Sequence, residues 1–392
     1  MSERKKVAIL LPWLKMGGTN KIALNFMKEL SQYCDVTLIL SQNTGELLPQ
    51  LPDNIHLIID EMRSFRDIVK EDVRNLRVLR MVQNILYYVR IKLHRDSVDN
   101  YRYLVQRHGY VSDEEYDCAI SYHGQSPERL LNLLYRTKAK KKAAWIHGEF
   151  NNSSDHYYRM NRYYNQLDHL FFVSNHTMRS FQDKFSADEN KCTVYYNPID
   201  KQEILECARI PCEVCFEDDH INVLTVGRIS GEKGQDMIPA VVRKLTDLGL
   251  EICWYIVGDG ENRPTVEQLI REYGVEDRVI LLGTRTNPYC YMKSCDIYVQ
   301  PSYTEGYSTT ICEAGILGKA IVGTKPSGGI YDQITHGEDG LIVDATVDGL
   351  TEGIRILVEN TTLRRQFEKN ILKKNFEGKG EIEKFLGFLN SE

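Results

Sequence analysis

Short apolar runs punctuate the chain at near-regular intervals. In the first half they are "VAILLP", "DVTLIL", "DCAISY", "KAAWIH" and "LFFVSN", separated by polar or helix-periodic stretches. Such alternation predicts an α/β fold. The second half repeats it with "INVLTVG", "CWYIVG", "VILLG", "DIYVQP", "KAIVGT" and "GLIVD". Continuous Val/Ile/Leu runs predict parallel strands covered on both faces. The two halves also open alike: "VAILLPWLKMGGTNKIALNFMKEL" and "INVLTVGRISGEKGQDMIPAVVRKL" each read strand, glycine loop, helix. Two Rossmann-like domains in tandem are therefore expected. The turn signals and acidic polar stretch of residues 197–220 place the boundary, giving domains at 1–205 and 206–375. A closing helix at 376–392 has the first domain as its candidate packing partner. Ligands of open α/β sheets sit at the carboxyl ends of the strands, so two such domains facing one another would bind across a cleft.

One stretch of the first half has a different period. Between residues 63 and 107, Val69, Val73, Leu76, Leu79, Val82, Leu86, Val89 and Leu93 recur at helical spacing, with Lys70, Arg74 and Arg77 beside them. The spacing predicts a long helix whose apolar stripe covers the first domain's core. The alternative is a face lying on an anionic membrane surface, helped by "KAKKK" at 138–142.

Composition narrows the class. With 392 residues, 42% hydrophobic and 27% charged, the chain has an ordinary globular balance and length for two cores. No run approaches the roughly 18 apolar residues of a membrane span, and the N-terminus enters a strand too early for a signal peptide. A cytoplasmic location is expected, or a peripheral one on the inner face of the membrane. Net charge is −6, unevenly spread. Residues 1–200 hold 28 Lys and Arg against 24 Asp and Glu, and the remainder 21 against 31. A basic half and an acidic half imply different partners, with no nucleic-acid signature in either. The ten cysteines are scattered through strand-like and helix-like segments, which suits reduced thiols. Cys207, Cys212, Cys215 and His220 have spacings that suit zinc, but a single CxxC is a weak signal and no metal is expected.

The chemistry lies in the glycine loops. "VGRISGEKGQD" puts Arg228 just after a strand and Lys233 near the next helix, two cations for one diphosphate beside exposed backbone N–H groups. The first-half loop "KMGGTNK" sets Gly17 and Gly18 directly before a helix, either to approach a phosphate or sugar or to make a simple tight turn. "VGDGENR" has Arg263 where a dinucleotide fingerprint needs its third glycine, and no GxxxxGK[ST] run is present. NAD and P-loop nucleotide binding are thereby disfavoured.

"YTEGYSTTICEAG", residues 303–315, follows the strand "DIYVQP". Ser308 or Thr309 can cap the helix "STTICEAGILG", leaving Glu305 and Gly306 in the loop and Glu313 on the same helix face as Thr309. Amides from Gly306 to Thr310 can point at an anion, and carboxylates accept well from sugar hydroxyls.

The set "VGRISGEKG", "YIVGDGE", "VILLGTR", "DIYVQPSYTEGYSTTICEAGILGKAIV" and "GEDGLIVD" resembles the donor-binding half of retaining GT-B glycosyltransferases of the family 4 type, whose signature is the Glu-x7-Glu pair, here Glu305 and Glu313. The resemblance is strong over residues 221 to about 345 and weak in the first half, through "MGGTN", "WIHGEF", "FVSN" and "NPID". It implies a GT-B fold in which Arg228 and Lys233 hold a nucleotide diphosphate, Glu313 takes the ribose hydroxyls and Glu305 sits at the donor sugar. Gly306, Tyr307, Ser308, Thr309 and Thr310 would contact the sugar and phosphates, and Thr284 and Arg285 the base. Gly17 and Gly18 would close over the phosphate and acceptor, and His147 would lie beside the reacting sugar. "WIHGEF" matches the family's histidine region only in part, and "NPID" replaces a glycine-containing turn.

The implied activity is retaining, metal-independent transfer of a hexose or N-acetylhexosamine from a nucleotide sugar, UDP-linked rather than GDP-linked, to a saccharide or lipid-linked glycan of a bacterial capsule or cell envelope. No cofactor is implied. Two other classes stay open: a catalytically silent accessory subunit of a transferase complex, and a GT-B nucleotide-sugar epimerase, which would need no acceptor.

Overall fold

The computed structural model describes residues 4–61, 65–93, 98, 102, 105–106, 109–150, 155–185, 188–216, 219–325, 328–378 and 380–391. The chain divides into two compact units. One comprises Met1–Val173, Thr177–Tyr195 and Gly380–Glu392, the other Ser174–His176 and Tyr196–Lys379.

The first unit is built on a parallel sheet of seven described strands: β1 (Lys6–Leu11), β2 (Asp35–Leu40), β3 (His56–Ile59), β4 (Tyr116–Ser121), β5 (Ala139–Ile146), β6 (His169–Phe172) and β7 (Cys192–Val194), in the order β3-β2-β1-β4-β5-β6-β7. The five apolar runs read from the sequence are β1, β2, β4, β5 and β6. The two further strands lie at the sheet edges; Leu57 of β3 is exposed and β7 is three residues long, so neither carries a buried run. The central strands carry buried apolar runs because helices cover both faces, with Lys140, Lys141 and Lys142 confined to the less buried start of β5: Val7, Ala8, Ile9, Ala143, Ala144 and Trp145 are fully buried.

The last helix, Glu381–Asn390, belongs to this unit. Phe385 sits among Phe26, Trp145 and Phe171, its ring centre 5.4, 6.3 and 5.8 Å from theirs. The helix's final carbonyls accept from Lys5 Nζ (Leu389 O, 2.8 Å) and Lys141 Nζ (Phe388 O, 2.9 Å), cations at the negative end of the helix dipole. The other lysines of "KAKKK" are tied as well. Lys138 faces Asp113, Lys140 faces Asp117 at 2.8 Å, and Lys142 donates to Leu134 O. Each of these lysines has a partner within this unit, and Lys140 remains exposed.

The arginine-rich stretch also departs from the sequence reading. It forms two helices, Phe65–Arg74 and Val78–Leu93, broken at Leu76, whose φ of +50° a helix cannot accommodate. The stripe expected to cover the core points outward: Val73, Leu76, Leu79, Val82, Leu86 and Val89 are all exposed. The inward side is polar, where Asp72 accepts from Asn84 Nδ2 at 3.0 Å and both are buried. A helical period shows that one face is apolar, not which face meets the protein.

The second unit repeats the plan with β8 (Ile221–Val226), β9 (Ile252–Val257), β10 (Val279–Gly283), β11 (Ile297–Gln300), β12 (Ala320–Lys325) and β13 (Leu341–Asp344) in the parallel order β10-β9-β8-β11-β12-β13. All six match the runs read from the sequence. Strand order reverses between β8 and β11, which pair through Ile297 with Val223 and Tyr298 with Leu224. That reversal opens a crevice at the strands' carboxyl ends.

Candidate functional site

Both motif loops of the second unit leave from this switch point. After β8, the chain passes Gly227 and Arg228 into two 3-10 turns, Gly231–Lys233 and Gln235–Met237, and then the helix Ile238–Asp247. Gly234 between the turns has φ +69°, and a Cβ there would stand 2.1 Å from Pro301 O. Only glycine therefore lets this loop close onto the end of β11, and the closure places Lys233. Gln235 Nε2 donates to Arg228 O at 2.9 Å and ties the loop's two ends.

The glycines of "VGDGE" have a related packing role. A Cβ at Gly258 would meet Gly227 O at 1.9 Å and one at Gly260 would meet Ile229 O at 2.2 Å. Ile229 N donates to Asp259 O and Asn262 N to Ile229 O. These glycines let one loop backbone lie on another, which accounts for a partial dinucleotide fingerprint without a dinucleotide.

After β11, Pro301 begins a loop that reaches the helix Thr309–Ile316. Lys233 Nζ and Glu305 Oε2 are 2.7 Å apart and mostly shielded, with side-chain exposures of 22% and 15%. From Glu305 a hydrogen-bonded chain runs inward. Ser302 Oγ donates to Glu305 Oε2 (3.3 Å), Gln300 Nε2 to Ser302 Oγ (2.8 Å), and the hydroxyls of Tyr298 and Thr310 to Gln300 Oε1 (2.9 Å each). Thr310 Oγ1 lies 3.0 Å from Ser308 Oγ, which caps the helix by accepting from Ile311 N. Gln300, Ser302 and Ser308 are buried, so this network fixes the loop with its polar groups satisfied.

Gln333 holds the helix start from the other side. Its Nε2 donates to Ser308 O, and Ser308 N donates to its Oε1 at 3.2 Å. The amide of Ser308 is thus committed within the protein, correcting the reading that every amide from Gly306 to Thr310 faces an anion. The first-turn amides of Thr309 and Thr310 have no carbonyl four residues back within the helix. Gly306 is buried, and its carbonyl leaves no room for a Cβ at Gly329, 2.0 Å away. Tyr307 lies beside Tyr196, ring centres 5.5 Å apart; burial first, then Cys312, pushes its phenol well above the usual range, so it stays protonated.

Arg228 stands apart from the Lys233–Glu305 pair. It is 62% exposed and bonded to Glu232 at 2.7 Å, one loop cation beside one loop carboxylate. Glu313 accepts from Tyr289 OH at 3.3 Å. Thr284 is exposed just beyond β10, and Arg285 pairs with Glu213 at 3.2 Å.

Gly17, Gly18 and His147 belong to the first unit. Gly17 precedes the helix Gly18–Leu30, with open space where its Cβ would be. His147 follows β5, its Nε2 2.8 Å from Tyr122 O, so that nitrogen carries the proton and Nδ1 remains an acceptor. Burial, with the neighbouring His123, holds its pKa down at about 3; burial, with Arg129, holds that of His123 at about 4. Both rings are neutral near pH 7.

Among the described residues no group of three or more His, Cys, Asp or Glu side chains could hold a metal ion. Cys207 and Cys212 pack against the second unit's core, and His220 pairs with Glu251. Gln300, Ser302, Gln333, Tyr289 and Gly234 were not anticipated from sequence. The one visible signal was a glutamine ending the apolar run "IYVQ".

Two such parallel-sheet units, with glycine loops at the switch point of the second, define the GT-B fold of glycosyltransferases. The structure matches Anabaena HepE in complex with UDP-glucose, with a TM-score of 0.72 at 17% identity, covering 99% of this chain and 100% of that one. It also matches TarM, with a TM-score of 0.71 at 13% identity over 100% and 99%.

Within that class, residues 213–374, in the second unit, match the family model of the glycosyl transferases group 1. It is 30% identical over 209 residues, 52% of this chain and 54% of the relative, to the N-acetylgalactosamine-N,N'-diacetylbacillosaminyl-diphospho-undecaprenol 4-alpha-N-acetylgalactosaminyltransferase of Campylobacter jejuni. It is 28% identical over 159 residues, 40% of each chain, to the 2-deoxystreptamine N-acetyl-D-glucosaminyltransferase of Niallia circulans. The matches thus span about half the length of these curated relatives or less.

Proposed function

We propose that the protein is a retaining glycosyltransferase that moves a hexose or N-acetylhexosamine from a UDP-sugar to a saccharide or lipid-linked glycan of the bacterial cell envelope. The observation that carries this is the Lys233–Glu305 pair, a shielded cation and carboxylate held rigidly at the switch point beside a capped helix start. A donor diphosphate draws Lys233 away from Glu305, and Arg228 away from Glu232. Glu305, freed, accepts from hydroxyls of the sugar, while Glu313 takes the ribose.

In the reaction the bond between the anomeric carbon and the diphosphate oxygen breaks as the acceptor oxygen bonds to the same face of that carbon. The acceptor's proton passes to the leaving phosphate. Negative charge grows on the phosphate, where Lys233, Arg228 and the first-turn amides of Thr309 and Thr310 stabilise it. These groups can do work often given to a metal ion. Positive charge grows on the sugar ring, where Glu305 stabilises it. His147, neutral and with an unprotonated Nδ1, serves as a hydrogen-bond acceptor for the sugar or acceptor and not as an acid. The kinship with an enzyme named for a diphospho-undecaprenol-linked substrate supports a lipid-linked acceptor, and with it a working position at an anionic membrane surface.

A thermal-shift panel of UDP- and GDP-sugars tests the donor. A true donor at 100 times its Kd stabilises by about 2.7 kcal/mol. Absence of a shift with every nucleotide sugar overturns the reading, and NMR of the product's anomeric configuration tests retention.

A further inference from the structure

The hairpin Phe65–Arg74 and Val78–Leu93 of the first unit is turned inside out. Eight of the nineteen exposed large hydrophobic residues among the described ones fall between Val73 and Val89. Leu76 and Leu79 are more than four-fifths exposed, and Val78, Ile85 and Leu86 close to two-thirds. Along the second helix, Asn84 and Tyr87 are the described side chains that are buried. The polar contact of Asp72 with Asn84 lies on that inner side, with Arg77 and Arg80 reaching Asp72 at 3.7 and 3.9 Å. A contiguous exposed apolar face of this kind marks a surface that is covered by something else.

We infer that this hairpin lies flat on an anionic lipid bilayer, its apolar side chains in the acyl boundary and its arginines among the head groups. Charge decides the occupant. The hairpin, residues 65–93, contains seven Arg and Lys against three Asp and Glu, within a chain whose net charge is −6. A second copy of the same hairpin would set a net positive segment against another, whereas anionic head groups complement it. Arg74 is exposed beside the stripe, long enough to keep its stem on the apolar surface and its guanidinium group outside it. No helix of the described residues is long and apolar enough to cross a membrane, so the hairpin lies along the surface. The inference deepens the membrane part of the proposal above and rests on that part alone, since it uses nothing of the donor site.

The test is sedimentation of the full chain with vesicles of phosphatidylcholine alone, or of phosphatidylcholine with about 30% phosphatidylglycerol to supply an anionic surface. Binding is expected to the anionic vesicles, weakened at about 1 M salt, where the Debye length falls to about 3 Å. L79S/V82S/L86S removes exposed side chains only and is expected to lower the bound fraction at least roughly tenfold, with the thermal shift by UDP unchanged. L79S/L86S serves if the triple variant folds poorly. Equal binding to neutral and anionic vesicles overturns the choice of occupant. So does an unaltered bound fraction in both variants, or a dimer that the same substitutions dissociate while no vesicle binds. Loss of UDP-sugar binding with vesicle binding intact would refute the donor reading and leave this one standing.

Discussion

Exchanging Lys233 for methionine separates two roles that one ion pair can play. If Lys233 is there to hold the diphosphate, K233M loses a charge-assisted contact worth about 1.5–3 kcal/mol, a Kd for UDP weaker by roughly 10- to 150-fold. The gross attraction of two unit charges about 4 Å apart is about 4 kcal/mol at an effective dielectric of about 20. Lys233 must, however, give up Glu305, 2.7 Å away, before it meets the phosphate, so the net value is smaller. That competition makes a second prediction of opposite sign: E305Q removes the rival acceptor, and UDP binds as well or more tightly. Transfer nevertheless falls by roughly 10²- to 10³-fold, because the growing charge on the sugar has lost its counter-ion. Titration calorimetry with UDP, beside initial rates of transfer, reads both effects. The double variant K233M/E305Q decides. If the lysine only neutralises the carboxylate, removing both restores UDP affinity. If it holds phosphate, the double variant binds as weakly as K233M. Restored affinity, or a Kd for K233M within about twofold of wild type, refutes the reasoning.

The supporting groups make further predictions. Q333A leaves Ser308 N and O without their buried partner, which is expected to cost about 2–4 kcal/mol in urea unfolding and to weaken UDP binding through the disordered helix start. G234A forces a left-handed φ on alanine and a Cβ onto Pro301 O; a loss of at least about 2 kcal/mol and of UDP affinity is expected, while G231A, with open space around it, is near neutral. His147 and His123 have folded pKa values depressed to about 3 and about 4. Below about pH 6.5 the unfolded chain binds protons that the folded one does not, so stability falls with falling pH by about 1.4 kcal/mol per unit for each ring. H147Q is expected to reduce that slope, and an unchanged slope between about pH 4.5 and 6.5 counts against a buried neutral ring.

The fold was largely legible because its central strands are covered on both faces and leave continuous apolar runs. β3 and β7 escaped because edge strands are short and half-exposed and carry no such run. The candidate site was legible only where its chemistry shows in residue type: Lys233, Glu305 and Glu313 are charged residues at loop and helix positions. The residues that position them are read poorly from sequence. Gln300 and Gln333 are buried amides whose partners come from 2 to 25 residues away, among them Tyr298, Ser302, Thr310, Ser308 and Cys312. Gly258 and Gly260 look like phosphate glycines but answer to neighbouring backbone. The stripe from Val73 to Val89 was read as core because periodicity carries no sign. Its direction is set by Asp72 and Asn84, a buried polar pair that no apolar pattern announces.

The closing helix has a consequence for how the protein is made. Phe385 fills a place between Phe26, Trp145 and Phe171, yet it leaves the ribosome after the whole of Tyr196–Lys379. At about 5–20 residues per second, the earlier strands wait roughly 10–40 s for it. During that interval the nascent first unit presents an aromatic hollow while the second unit is still being made. Order of synthesis thus runs against order of completion: the half that begins first finishes last. A chain truncated before residue 380 would keep every strand of the first unit and lack the aromatic side chain that fills its hollow.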